Sequence, residues 1–238
     1  MIKKNKIVVT GGTGRFAESL KKTKTKYKFI YPSKSKLNIT NFKSIFRFLK
    51  KTKPKSVLHL AGLSRPMKDH EKKISNSINL NIIGTSNLVK ACSKLNIKLI
   101  YFSTSYVYPG KKGNYKENDA VLPWNNYAWS KLGGECAVQM YKNSLILRVC
   151  MTEKPFVHKK AFTNVKLNFI FHDDLAKILI KIINNRGIIN LGGPTQTVYS
   201  FAKKYNPKVK KIISKKNSLN SYPLNPYMNL SKLKKLMR

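Results

Sequence analysis

The sequence predicts an α/β protein, a doubly wound parallel sheet with helices on both faces. Three observations lead there. Through the first 150 residues, short β-branched runs alternate with amphipathic stretches of helix length, the rhythm of βαβ units. A glycine-rich turn directly follows the first of those runs. Apolar residues make up 42% and aromatics 11% of 238 residues, enough for a substantial core in one domain with elaborations, or one and a half.

Residues 6–10, KIVVT, stop at Gly11-Gly12 and read as a strand. Residues 27–31 are a second strand candidate. In residues 41–51, NFKSIFRFLKK, the apolar Phe42, Ile45, Phe46 and Leu49 recur at helical spacing, with Thr40 as the expected N-cap. Pro54 leads into SVLHL at 56–60, a buried strand. A long helix is predicted over 74–95, then a strand at 98–103 and a Gly/Pro/Asn-rich loop to Trp124. The helix holding Tyr127 and a strand at 145–149 follow. Beyond Val149 the rhythm loosens. Residues 166–171 read as a strand and 173–184 as a helix whose acidic start suits its dipole. Residues 187–191 form a short strand ended by Gly192-Gly193-Pro194, and 230–237 a last amphipathic turn or two. There is no internal repeat and no long linker.

The net charge is +39, from 48 Lys and Arg against 9 Asp and Glu. A field of that size attracts polyanions, nucleic acid among them. Nearly all of it is lysine, scattered from Lys3 to Lys235 in company with Asn and Ile. Arginine, the usual bidentate reader of phosphates and bases, is scarce. The expectation is a solvated lysine-rich surface reflecting coding bias, with no specific nucleic-acid site, whose field still favours a diphosphate-bearing ligand. The basic start MIKKNK precedes an apolar run too short for a signal-peptide core. No stretch approaches the roughly 18 to 20 apolar residues of a membrane span. The cysteines Cys92, Cys136 and Cys150 are odd in number, far apart and without a CxxC, as reduced core residues would be. A cytoplasmic protein without membrane attachment is expected.

The turn itself is TGGTGRFA, residues 10–17, which reads as Gly12-x-Gly14-x-x-Ala17 and equally as Gly11-x-x-Gly14-x-x-Ala17. Small residues here allow a tight turn, close approach of the backbone to a pyrophosphate and packing of helix on strand. The helix N-terminus then faces the anion. The predicted sheet is therefore Rossmann-type, with Gly11, Gly14, Arg15 and Phe16 as candidate cofactor contacts. Residues 1–150 are expected to form the dinucleotide-binding core and 151–238 a small C-terminal substrate-binding lobe, with 173–192 returning to the core. An acidic residue about 20 positions on would bind the adenosine ribose and select NAD. The second strand ends instead in YPSKSK, where Ser33 and Lys34 could hold a 2′-phosphate. NADP(H) is favoured over NAD(H).

In NNYAWSKLGGE, residues 125–135, Tyr127 and Lys131 share a helix face, as any i, i+4 pair does. Spacing alone leaves open whether they are a catalytic pair or one turn of an amphipathic helix. His59 ends an apolar strand and reads as a packed residue. His70, His158 and His172 lack ligand spacing, and Asp173-Asp174 reads as a helix start, so no metal site is predicted. Ser103 and Ser105 have no nucleophile elbow around them. Lys159 and Lys160 could reach a substrate diphosphate or simply be surface. Arg148 suits a structural ion pair or a ligand contact equally.

With the glycine turn in place, five segments fall in order: KLNIT (36–40), VLHLAG (57–62), NIIGTSNLVKAC (81–92), FSTSYVYPG (102–110) and YAWSKLGGE (127–135). This pattern resembles the extended short-chain dehydrogenase/reductases that act on nucleotide sugars, within the NAD-dependent epimerase/dehydratase superfamily. It is most like the dTDP-4-dehydrorhamnose reductases. The resemblance covers residues 6–150 well and continues more loosely through Asp173 and GIINLGG. It implies that Gly11, Gly14 and Ala17 line the cofactor pyrophosphate. Asn38 and Ile39 stand where the family's Asp-Ile meets adenine, with Asn replacing Asp. Leu60, Ala61 and Gly62 would border the cofactor. Thr104, Tyr127 and Lys131 match the catalytic Ser/Thr, Tyr and Lys.

On that pattern Tyr127 gives a proton to a sugar carbonyl oxygen as the nicotinamide gives hydride to its carbon. Lys131 holds the nicotinamide ribose and, with an oxidised nicotinamide when present, draws the phenol below its usual pKa near 10, and a shift of about three units is worth roughly 4 kcal/mol. Thr104 would hydrogen-bond the carbonyl oxygen, and Glu135 would fix Lys131 or the helix. The implied function is an NAD(P)H-dependent reductase of a 4-keto-6-deoxy nucleotide sugar. An epimerase or dehydratase with tightly held NAD stands second. A non-catalytic polyanion- or nucleotide-binding protein on the same fold stands third. The pattern is compatible with a homodimer.

Overall fold

Alternate residues of the first strand enter different cores, and the whole architecture follows from that. The computed structural model describes residues 5–156, 158–215 and 222–238. The first four residues of the basic start and residues 216–221 of the polar tail lie outside these. In chain order, β1 (Lys6–Thr10), α1 (Arg15–Lys22), β2 (Lys28–Ile30), α2 (Phe42–Thr52) and β3 (Ser56–His59) come first. Two short helices, α3 (Lys68–Lys72) and α4 (Ile74–Ser77), lead through a π-helical segment (Ile78–Ile83) into α5 (Gly84–Lys94). Next are β4 (Lys98–Thr104), α6 (Asn126–Gln139) and β5 (Ser144–Val149). The remainder holds the short strands β6 (Met151–Thr152), β7 (Lys160–Phe162), β8 (Lys166–Leu167) and β9 (Ile170–Phe171), then α7 (His172–Ile182) and β10 (Gly187–Leu191). It closes with β11 (Gln196–Thr197), α8 (Val198–Lys203), β12 (Lys210–Ile212) and α9 (Ser231–Met237).

The central sheet runs β2-β1-β3-β4-β5-β10, with every neighbouring pair parallel. Strands buried on both faces need mostly apolar residues, and the middles of β1, β3, β4 and β5 have them. Ile7 and Val9 of β1 enter the core under α1, α7 and α9, while Val8 enters the core under α2 and α5. That is the two-residue period of a strand sorted onto two helical layers. A third cluster, rich in Phe and Tyr, gathers residues from 107 to 230 over the carboxyl edge of the sheet. The chain reverses its strand order between β1 and β3, and in such sheets the crevice at that reversal is where ligands bind.

The structure departs from the sequence reading in three local places. Asn41, not Thr40, caps α2, its side chain accepting from Ser44 N at 3.0 Å, while the Thr40 hydroxyl donates to Asn38 at 2.9 Å. The predicted helix over 74–95 is helical throughout but carries a π turn in its middle. The predicted strand at 166–171 divides into β8 and β9, which pair with β11 and β6 in separate small sheets. Asn168 lies at that division, and its side chain ties the Gly193–Thr195 turn and Met228 together.

Candidate active site

Gly11 makes the turn after β1 in the left-handed region at φ +72. A Cβ there would lie 2.7 Å from the backbone nitrogen of Ala61, so only glycine lets this loop pass over the end of β3. Gly14 is the N-cap of α1 and offers no side chain to it. The first turn of α1 thus keeps its amide end open toward the crevice, the arrangement that receives a phosphate. A dinucleotide's pyrophosphate fits this cradle.

Beneath the crevice floor runs a chain of buried polar groups. The Thr10 hydroxyl lies 2.8 Å from His59 Nδ1 and also accepts from the backbone of Leu60 and Ala61. His59 Nε2 lies 3.0 Å from Thr85 Oγ1, whose hydroxyl donates to the Asn81 carbonyl at 2.7 Å. These partners assign the proton to Nε2. Burial, helped by the charge of Lys131, pushes His59 down to about 3, so it stays neutral. His59 is a packed, satisfied residue, and its hydrogen bonds fix the loop on which Gly11 rests.

The floor continues through Asn81. Its amide donates to Ser130 Oγ at 2.8 Å and to the Leu63 carbonyl at 2.9 Å, and its oxygen accepts from Leu63 N at 2.8 Å. One side chain therefore pins the loop after β3 to α6. Asn81 lies within a quoted segment, but its role as a clamp depends on the π turn, and π geometry leaves no periodic signature in sequence.

On α6, capped by Asn125, Tyr127 and Lys131 both reach the cleft. Lys131 is the one buried lysine among the described residues, 9% exposed, with its ammonium 4.2 Å from the centre of the Tyr101 ring. Burial holds it down at about 7, with Glu135 opposing. Thr104 ends β4 and lines the same cleft. The Tyr127 phenol is pushed up by burial, against the Thr104 hydroxyl and the Arg65 charge. Loss of water outweighs the neighbouring charges at Tyr127, and Lys131 itself is the group whose pKa falls.

Of the two roles expected for Glu135, fixing Lys131 or fixing the helix, the contacts show the second. It is fully buried and takes Arg148, from the neighbouring strand β5, at 2.5 Å, and accepts from Ser103 Oγ at 2.5 Å. Arg148 also donates to Tyr108 Oη at 2.7 Å, and Tyr108 in turn donates to Asn190 at 2.8 Å. Arg148 is thus the ion-pair residue of its two readings, and Glu135 braces α6 against the sheet rather than holding Lys131.

The cleft gathers Gly11, Gly14, Arg15, Phe16, Leu60, Gly62, Thr104, Tyr127 and Lys131 into one lining. Ser33 and Lys34 lie outside it, exposed on the turn after β2, where Ser33 Oγ meets Ser35 Oγ at 2.8 Å. The Asn38 side chain is engaged with Thr40, Ile39 is buried, and Ala61 serves through its backbone. The lining also includes Arg65, Tyr106, Met151, Glu153, Phe169 and His172, which sequence reasoning did not select. They come from loops, short strands, a single helical turn at Tyr106 and the first residue of α7, whose convergence no periodicity encodes. Among the described residues, no group of three or more His, Cys, Asp or Glu is placed to hold a metal, and no helix is long and apolar enough to cross a membrane.

A six-stranded parallel sheet reversing beside a Gly-x-x-Gly turn, with Thr, Tyr and Lys lining the crevice, defines a Rossmann-type dinucleotide-binding protein. The model of the family described as RmlD substrate binding domain matches residues 5–169, well over half of the chain. The chain belongs to that family. It is 28% identical over 200 residues to the dTDP-4-dehydrorhamnose reductase of Aggregatibacter actinomycetemcomitans, covering 80% of this chain and 63% of that enzyme. It is 27% identical over 146 residues to the methionine adenosyltransferase 2 subunit beta of Pongo abelii, covering 58% of this chain and 43% of that one. The chain thus spans less than two thirds of the length of either relative. In fold it is similar to the NADP complex of dTDP-4-dehydrorhamnose reductase from Bacillus anthracis, with a TM-score of 0.86 at 20% identity over 99% of this chain and 92% of that one.

Proposed function

We propose that this protein is an NADP(H)-dependent reductase of a 4-keto-6-deoxy nucleotide sugar. One observation carries the reading: in a chain with 48 Lys and Arg, the one lysine buried among the described residues stands one helical turn from a cleft tyrosine, opposite the glycine turn. The names of the Aggregatibacter and Bacillus relatives support the substrate class, and the NADP complex supports the cofactor.

Gly11, Gly14, Arg15 and Phe16 would hold the dinucleotide's diphosphate, and Leu60, Ala61 and Gly62 would border it. Ser33 and Lys34 would take a 2′-phosphate at the end of β2, with Asn38 and Ile39 toward the adenine. Bound there, the reduced nicotinamide supplies hydride. Tyr127 carries the proton for the carbonyl oxygen, and its raised pKa keeps the phenol loaded at neutral pH. Thr104 steadies that oxygen as charge gathers on it. Lys131, when charged, binds ribose and stabilises the phenolate that remains. We assign dinucleotide binding to residues 1–150 and substrate binding to 151–238, with 173–192 returning to the core. The setting is the cytoplasm, and the lysine field binds nucleic acid without specificity.

We further assign a homodimer to the face that exposes Ile74, Ile78, Ile83, Trp129 and Met140. Residues 74–89 include no charged side chain, in a protein whose copies otherwise repel. Sedimentation velocity should give a dimer, and a monomer in Trp129→Lys. A monomeric native protein at working concentration would remove this assignment.

The function itself is tested by mixing the protein with NADPH and a dTDP-4-keto-6-deoxy sugar and following loss of the reduced nicotinamide. Consumption dependent on the sugar is expected. Bound NAD released on denaturation, without consumption, would favour the epimerase. The likeness to chains named as a methionine adenosyltransferase 2 subunit favours one second reading, a binding or regulatory protein on this fold. NADPH binding without turnover of any keto sugar would support it.

A further inference from the structure

At the mouth of the cleft, three charged residues from three different segments meet. Arg15 is the first residue of α1, directly after Gly14. Arg65 stands on the loop after β3, and Glu153 follows β6. The Glu153 carboxylate bridges both guanidinium groups, pairing with Arg15 Nη1 and with Arg65 Nη1, the latter at 2.8 Å. Among the described residues, Glu153 is the only acidic one in the cleft lining. Arg15 and Arg65 are two of just six arginines in a chain that otherwise uses lysine for its positive charge. Arginine is the side chain whose planar fork matches phosphate oxygens.

We propose that Glu153 is a built-in competitor for the dinucleotide: it occupies the two guanidinium groups that would otherwise receive the cofactor diphosphate, and so sets cofactor affinity. Stability does not explain the cluster. The arginine side chains are 48% and 45% exposed and that of Glu153 22%, so each pair is wet, screened by salt and easily exchanged. Its position does explain it. A carboxylate resting on Arg15 lies at the open amide end of α1, where the glycine turn receives an anion. A diphosphate offers more oxygens and more charge to the same two forks than one carboxylate does, so it wins the exchange at a reduced net gain. The proposal rests on the dinucleotide reading above, to which it adds Arg65 as a diphosphate contact and Glu153 as its rival.

The test is a fluorescence titration of NADPH into native protein, Glu153→Gln, Arg65→Met and the double variant, with dTDP titrated in parallel. Glu153→Gln should bind NADPH about three- to tenfold more tightly, as loss of two exposed ion pairs implies. Arg65→Met should weaken binding, and by a larger factor in the Glu153→Gln background, where the guanidinium is free to act. Thermal midpoints should move little, because no buried group is touched. Equal or weaker NADPH binding by Glu153→Gln overturns the proposal and leaves the dinucleotide reading intact. Tightening toward dTDP in place of NADPH overturns its assignment to the cofactor. No NADPH binding by native or variant protein removes the dinucleotide reading and this inference together.

Discussion

Tyr127→Phe should lower keto-sugar reduction by about 10² to 10⁴-fold while leaving NADPH binding within a few-fold of native, because what is removed is a positioned proton donor. The ring itself stays, and with it the edge contacts to His70 and Tyr106 at 5.2 and 6.1 Å between centres, so the cleft keeps its shape. The pH profile offers an independent readout. Lys131 loses its proton as pH rises through about 7, far below its ordinary 10.5, because burial penalises the ammonium. The Tyr127 phenol, pushed the other way, stays protonated across that range. The kcat/KM for NADPH should therefore be full below about pH 7 and fall above it, and Lys131→Met should lack that break. A Tyr127→Phe protein that still turns over near the native rate would take Tyr127 out of the mechanism.

The largest stability loss is expected at Glu135. Its side chain is fully buried and that of Arg148 is 3% exposed, so Glu135→Gln leaves a guanidinium charge with no counter-charge in the sheet. Breaking one side of such a pair costs about 3 to 5 kcal/mol. At roughly 2 to 4 °C per kcal/mol for a chain of this size, the thermal midpoint should fall by about 6 to 20 °C. The loss should be nearly insensitive to salt, unlike that of an exposed pair. Replacing both partners, Glu135→Leu with Arg148→Met, should restore much of it, since two apolar side chains need no desolvation. Equal damage from single and double variants would show that Ser103, Tyr108 and Asn190 depend on the pair more than the pair's own charges matter.

What the sequence revealed was whatever repeats or stands at a fixed distance. The apolar runs in β1, β3, β4 and β5 announce themselves because strands buried on both faces must be largely apolar. The glycine turn is readable because φ +72 and a 2.7 Å approach to Ala61 leave room for nothing larger. Tyr127 and Lys131 are readable because a helix converts four residues of spacing into one face. The rest depends on distance in space. Arg65 and Glu153 are 88 residues apart and carry no shared pattern. Glu135 reads from sequence as fixing either Lys131 or its helix, and only the fold shows that it anchors the helix through Arg148 across the sheet. The sign of the Tyr127 shift follows from burial, which a charge list cannot supply. Thr40 and Asn41 are both good caps, and only the side-chain geometry chooses between them.

The π turn at Ile78–Ile83 makes the length of this helix as restrictive as its composition. A π turn accommodates an extra residue in each hydrogen-bonded ring, and Asn81 points inward from it while Gly84, just beyond, packs against Ile39. Deleting one residue would let the segment relax to ordinary α-helix with its flanking turns in register, and the bulge that turns Asn81 inward would be lost. Asn81 would then leave Leu63 and Ser130. The segment is therefore locked in residue count, so that an indel here is a lesion of the active site although it touches no reacting group.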